Sequence, residues 1–195
     1  MFITHLHLDH ICGLLMTPYI FKRDAKLDIY GPKDTSETLN SLFNPPVWPV
    51  NLNYVPAVVN FKPFLKETKI GDIVIKSSDG VHPGGIKLLR IEYKGKVISI
   101  MTDCTLTSEK MSVYEEIAKD ADLLLIDGQY NSAEWPTVSG FGHNTYNMAT
   151  IFAQKCCAKK TLITHHSNTR TDSELDSVVL PSGMSFAKEG EKIDL

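Results

Sequence analysis

The sequence predicts an α/β fold, and three features carry that expectation. Alternation with a period of two sets in from Phe61, an unbroken apolar run at Leu123-Leu124-Leu125-Ile126 suits a strand buried on both faces, and an amphipathic stretch over 108–121 supplies an outer helix between them. Ahead of these, residues 1–4 read as the end of a strand, 11–21 as a helix interrupted at Pro18, and 27–30 as a strand stopped by Gly31-Pro32. Asp34-Thr35-Ser36 caps a helix reaching Leu42-Phe43, and 45–56, with four prolines and Trp48, reads as an irregular connection. Strands follow over 70–76, 87–93 and 97–101, the last two joined by a Lys94-Gly95-Lys96 turn. After the 122–126 strand come a glycine-flanked loop, a helix capped by Asn144 or Thr145, a strand over 161–164, and a cap at Thr171 or Asp172.

The chemistry is concentrated at Thr4-His5-Leu6-His7-Leu8-Asp9-His10. Three imidazoles and a carboxylate within six residues are ligands that borderline divalent metals such as Zn²⁺ prefer, and no structural role calls for so many together. His5 and His7 reach one metal from an extended segment, while Asp9 and His10, past the turn, reach a neighbouring one. Further candidates lie at element ends. His82 precedes a Pro-Gly-Gly turn; Asp103 stands at the mouth of a strand, as a cap or as a group aimed into a site; Asp127 ends the apolar strand, as a turn cap or as the partner of a catalytic imidazole. His143 lies on a glycine-rich loop at a helix start. His165 and His166 end the last strand, and only one of them follows its pleat into a site.

At 195 residues, with 43% hydrophobic and 22% charged content, the chain is expected to be one soluble domain, 1–195. A formal net charge of −3 provides no electrostatic footprint for nucleic acid or an anionic membrane, and no apolar stretch is long enough for a membrane span. Four cysteines without a CxxC pattern point to reduced thiols in a cytoplasmic protein, and Cys12 and Cys104 are read as small buried hydrophobes beside the ligands.

The run His5-x-His7-x-Asp9-His10 resembles the signature of the metallo-β-lactamase superfamily, and the later His82, Asp103 and His165 follow in the order that family shows. The resemblance implies a four-layer αββα sandwich. Family members carry several strands before this motif and only residues 1–4 precede it here, so the chain is expected to be N-terminally truncated and to cover an exposed sheet edge as a homo-oligomer. Gly142-His143-Asn144-Thr145 is similar to the His-Ser-Thr element of the phosphodiesterase branch, which includes tRNA 3′-end processing endonucleases, with Asn144 in place of serine. Residues 165–172 resemble the His-His-Asp-Pro-x-Arg-x-Asp stretch of cyclic-nucleotide-phosphodiesterase-like members, with Ser167-Asn168 in place of Asp-Pro.

The resemblance implies that His5, His7 and His82 hold one metal, Asp9, His10 and His165 a second, and that Asp103 bridges them. His7 stands where diiron oxygen-reducing relatives have glutamate, which favours two Zn²⁺ and hydrolysis, with Mn²⁺ or Fe²⁺ as alternatives. The expected reaction is cleavage of a phosphodiester, in a small anionic substrate of cyclic or nucleotide type, by a metal-activated water. Asp9 and His143 act on protons, Asp127 and Arg170 support the site or touch substrate, and His166 packs beside the ligand or touches substrate. Lactone or thioester hydrolysis is the close alternative. A non-catalytic or partner-dependent metal-binding subunit is the alternative of another class.

Overall fold

The computed structural model describes residues 1–195. The chain divides into two compact units, Met1–Leu65 and Lys66–Leu195.

In the first unit, β1 (Lys26–Gly31) pairs in parallel with β2 (Val58–Pro63), Leu27 opposite Val59 and Ile29 opposite Phe61. The first residues join β1 from the chain start: the Ile3 N–H donates to the Tyr30 carbonyl at 2.8 Å, and the Phe2 and Tyr30 rings stack at 4.6 Å. Phe61 therefore belongs to a parallel pair with β1, not to the later alternating region where its pattern placed it. Local periodicity specifies a strand but not its partner.

Helix α1 (Leu8–Met16) begins inside the histidine motif, earlier than the apolar pattern suggested. His7 is still extended and caps it, and Asp9 lies in the first turn, where a carboxylate suits the positive end of the helix dipole. Ile11 and Leu14 turn inward to meet Ile3, Ile20, Ile29, Phe43 and Leu39, the last from α2 (Thr35–Leu42). Cys12 lies off the buried face of α1 and is exposed, contrary to its expected burial. The reason is helical spacing: one residue past Ile11 is a turn of about 100° away from the core.

The second unit holds a seven-stranded sheet in the order β3 (Glu67–Ile70), β4 (Ile73–Gly80), β5 (Ile86–Tyr93), β6 (Lys96–Met101), β7 (Leu123–Asp127), β8 (Lys160–Thr164) and β9 (Met184–Phe186). The expected single strand over 70–76 is instead a hairpin, because Ile70 pairs with Ile73 across Gly71-Asp72 and Gly71 takes the positive φ of 57° that the tight turn needs. The first four strands are antiparallel neighbours and the last four are parallel. Helices α3 (Met111–Ala118), α5 (Tyr146–Lys155) and α6 (Asp172–Asp176) make the crossovers, and a single turn, α4 (Trp135–Val138), lies in the β7–α5 connection. The expected 108–121 helix ends at Ala118, and Asp120 has a left-handed φ of 52°. The last strand, β9, has only three residues and left no pattern in the sequence.

This topology decides where the chemistry falls. Strands β4 and β6 are both antiparallel to β5, so they run the same way, and β7 and β8 are parallel to β6. The C-terminal ends of β4, β6, β7 and β8 therefore share one edge, the edge where layered α/β proteins bind ligands. Beneath it, Leu88, Met101, Leu124, Ile126 and Ile163 are fully buried against Tyr114, Ala149 and Ala153 from the helices. Each large aliphatic side chain buried this way contributes about 1.5–3 kcal/mol, which makes the edge a rigid platform.

Candidate active site

Each unit carries part of the predicted donor set. In the first, the His5 ring is buried, with its centroid 4.6 Å from that of His7 and 4.3 Å from that of His10. Asp9 Oδ2 lies 3.4 Å from His10 Nε2. The strand end presents His5 and His7, and the first turn of α1 presents Asp9 and His10, so four donors come from two local conformations. His7, Asp9 and His10 are exposed.

In the second unit the shared edge supplies the rest. His82 follows β4, Asp103 follows β6, Asp127 ends β7 and His165 follows β8; His143 arrives on the loop between α4 and α5. His82 Nδ1 lies 3.1 Å from the Gly142 carbonyl oxygen. A carbonyl can only accept, so Nδ1 carries the proton and the lone pair stays on Nε2, the arrangement that an acceptor behind the ring imposes on a metal-binding imidazole. Gly142, at φ 96°, is required there: a Cβ would stand 2.4 Å from Pro83 Cδ and 2.6 Å from His82 Nδ1.

Asp103 and His165 both adopt left-handed backbone, at φ 54° and 59°, which side chains other than glycine's seldom take and which costs about 1–3 kcal/mol each. This backbone turn, and not the strand's pleat, aims His165. Its Nε2 lies 2.8 Å from Asp103 Oδ1, and its Nδ1 lies 3.0 Å from the Gln129 side-chain amide. Backbone of this kind clusters at active sites and ligand clamps.

Asp127 is fully buried and accepts twice: from His143 Nδ1–H at 2.7 Å and from the Asn144 backbone N–H at 2.7 Å. Burial pushes its carboxyl above the usual carboxylate range, against the pull of His143 and the Asn144 amide. The His143 ring stacks on His165 at 4.7 Å and stands edge-on to His82 at 5.1 Å. Asn144, offered by the sequence as a helix cap, does other work. Thr145 caps α5, accepting from the Met148 N–H at 3.2 Å, while the Asn144 side chain accepts from the Leu106 N–H at 2.8 Å and donates to the Cys104 carbonyl. It thereby ties the loop after Asp103 to the loop of His143. Cys104 is buried as expected, and burial pushes its thiol up to about 11, so it is a neutral filler there.

The donor set fits a divalent cation. His82, Asp103 and His143 bring ligand atoms within 4.8 Å of one another, and so do Asp127, His143 and His165. Imidazole nitrogen with carboxylate oxygen is the ligand chemistry of zinc and its first-row neighbours. Two predicted residues turn to other partners, His166 by the packing that was one of its two expected roles. His166 turns its ring edge onto Phe186 of β9 at 5.3 Å, with Nε2 3.3 Å from the Ala187 carbonyl, and Arg170 is held by Glu134. Gln129 and Glu134, which the sequence reading gave no role, carry no motif. Their signal is position alone, just past the strand that ends in Asp127.

An α/β protein with a buried His/Asp cluster at the C-terminal edge of its sheet is thus defined. It belongs to a known family: the model of the beta-lactamase superfamily domain matches residues 1–166. Among curated relatives, the ribonuclease Z of Listeria monocytogenes serotype 4a is 25% identical, the match covering 97% of this chain and 77% of the relative. Among solved structures, the metallo-beta-lactamase fold protein YhfI of Bacillus subtilis superposes with a TM-score of 0.73 at 20% identity, over 97% of this chain and 75% of that one. Human tRNase Z, short form, gives 0.71 at 22% identity, over 96% and 75%. A diphosphatase of the PhnP family gives 0.72 at 21%, over 100% and 70%. These likenesses establish the metallo-β-lactamase fold that the histidine motif implied. No helix is long and apolar enough to cross a membrane.

Proposed function

We propose that the chain is a metal-dependent hydrolase of phosphodiesters that uses two divalent cations, zinc first. The observation that carries this reading is His143, whose Nδ1–H is fixed on the buried Asp127 while its ring stacks on His165. A carboxylate on one nitrogen sets the tautomer and leaves Nε2 to hold or deliver a proton, the requirement for protonating a leaving oxygen. His5, His7 and His82 are assigned to one metal, Asp9, His10 and His165 to the other, and Asp103 to both. Cations held there would supply a water of lowered pKa and neutralise phosphoryl oxygens. Asp9 would orient that water or take its proton, and Asp127 would stabilise the imidazolium of His143. The family match runs through the boundary between the two units, which supports treating residues 1–195 as one functional domain.

The names of the relatives move the substrate away from the small ester first expected. Ribonuclease Z and tRNase Z are named for RNA, and the third neighbour for a diphosphate, so a phosphoester of RNA or nucleotide type is favoured over a lactone or thioester. The net charge of −3 means that RNA would be held by local contacts at the site rather than by the field of the whole chain. A cytoplasmic setting and a homo-oligomer remain part of this proposal, and light scattering tests the second. The decisive test is a parallel assay of bis(p-nitrophenyl) phosphate, a short RNA and a model lactone with metal-loaded protein. Turnover of the phosphodiesters at least tenfold above the lactone, in kcat/KM, supports the reading. Preference for the lactone overturns it.

A further inference from the structure

We propose that Arg170 is a positioning residue that, with Glu134, clamps the loop carrying His143 to the loop carrying His165. The proposal rests on the reading of His143 given above. Between β7 and α5 the chain makes an excursion of residues 128–145. Its base is closed by the Tyr130 N–H donating to the Asn144 carbonyl at 3.2 Å and the Tyr146 N–H to the Tyr130 carbonyl at 2.9 Å. Asp127 fixes its far end through His143 and Asn144. Its middle, which contains Gly140 and Gly142 and the exposed Phe141, has one strong tie to the loop after β8: Arg170 Nη2 donates to both oxygens of Glu134, at 2.7 and 2.6 Å.

This is more than a solvated ion pair. The Arg170 side chain is 12% exposed, and Glu134 Oε2 also accepts the Asn131 N–H at 2.8 Å, so the carboxylate is locked into its own loop before it meets the guanidinium. On the other side, Arg170 Nη1 lies 3.7 Å from Glu174, whose carboxylate completes the capping box with Thr171 at the start of α6. Arg170 also lies beside the buried hydroxyl of Tyr146, the first residue of α5 and three past His143. One guanidinium thus ties the middle of the His143 segment to the chain five residues beyond His165. Charge-assisted hydrogen bonds to a planar, barely hydrated group give such a joint direction as well as attraction. Arg170 is spent on this joint, so its assigned task is to hold the stacked pair of imidazoles in register rather than to bind substrate.

The test combines hydrogen exchange with kinetics on the full chain loaded with zinc, using bis(p-nitrophenyl) phosphate. In Arg170→Met and Glu134→Gln, amides of residues 131–143 exchange at least tenfold faster while those of β7 and β8 keep their protection. kcat falls about ten- to a hundredfold, the scale of a misplaced catalytic group, with KM within about twofold. Arg170→Lys recovers part of kcat, and Arg170→Met adds nothing in a His143→Ala background. Unchanged exchange in the loop, or an equal loss of kcat in the His143→Ala background, overturns the clamp. If the unmodified chain turns over no phosphodiester, the functional reading falls and the exchange result alone decides. Should Arg170→Met fail to fold, Glu134→Gln reads out the same joint.

Discussion

The donors of the first unit and those of the second reach their positions by different means. Within residues 5–10 the chain delivers four ligand-type side chains through two local conformations, an extended end and the first turn of a helix, and three of the four are exposed. In the second unit the donors are spread over residues 82–165, come from the ends of separate strands and from the loop before α5, and are held by hydrogen bonds to Gly142, Gln129 and Asp127 and by two residues in left-handed backbone. A compact motif needs little scaffold. A dispersed one has every side chain fixed by a partner, and so should be the half where single substitutions separate metal binding, proton transfer and folding.

The largest effect is expected from Asp103→Ala. It removes a buried carboxylate assigned to both metals, so turnover should fall by well over a hundredfold and metal content should drop with it, because even residues that merely orient a ligand are worth about 10–100-fold. Full metal content in this variant would move the bridge elsewhere. His143→Ala should keep the metals and lower kcat by about 10²–10⁴-fold, the range for a general acid or base. Asp127→Asn should do the same more weakly, by about 10–100-fold, since an amide cannot accept from both His143 Nδ1–H and the Asn144 N–H without turning a donor toward one of them. If Asp127→Asn instead strips the metals, Asp127 is a ligand in its own right.

Much of this arrangement was legible beforehand. All seven histidines of the chain are candidates on sequence alone, and the density of His5 to His10 identified the family. Strand ends were readable because an apolar run that stops at an aspartate, as at Asp127, is a local signal. What could not be read was long-range. The left-handed turn at His165 is set by surroundings, Gln129 and Glu134 act through partners 36 residues away, and Asn144 spans from its own loop to Leu106. Arg170 shows the same lesson: the sequence offered it to an anionic substrate, while the fold gives it to Glu134.

Two smaller effects sharpen the contrast from the side of stability. Asn144→Ala leaves the Leu106 N–H and the buried Cys104 carbonyl without their partner, and should lower stability by about 1–3 kcal/mol, seen as an earlier urea midpoint with an unchanged slope. Smallest is the effect of Asp122, at the opposite end of β7 from the site. It accepts from Lys159 Nζ at 2.9 Å and from the Val97 N–H at 2.9 Å, and these hold its carboxyl below the usual range. Its stabilisation is therefore present above the unfolded-state pKa of about 3.9 and is lost as pH falls through the lower folded value. Asp122→Asn should lower the urea midpoint at neutral pH and flatten its decline below about pH 4. An unaltered acid limb would show that this pair does not contribute.

The most direct measurement is the metal content per chain, by elemental mass spectrometry, of protein purified without chelator, alongside His7→Ala and His165→Ala. About two zinc ions per chain, with a loss in each variant, is the outcome expected if exposed and buried donors serve one dinuclear centre. Close to none, persisting after zinc is added back, or a content that neither variant changes, would contradict it.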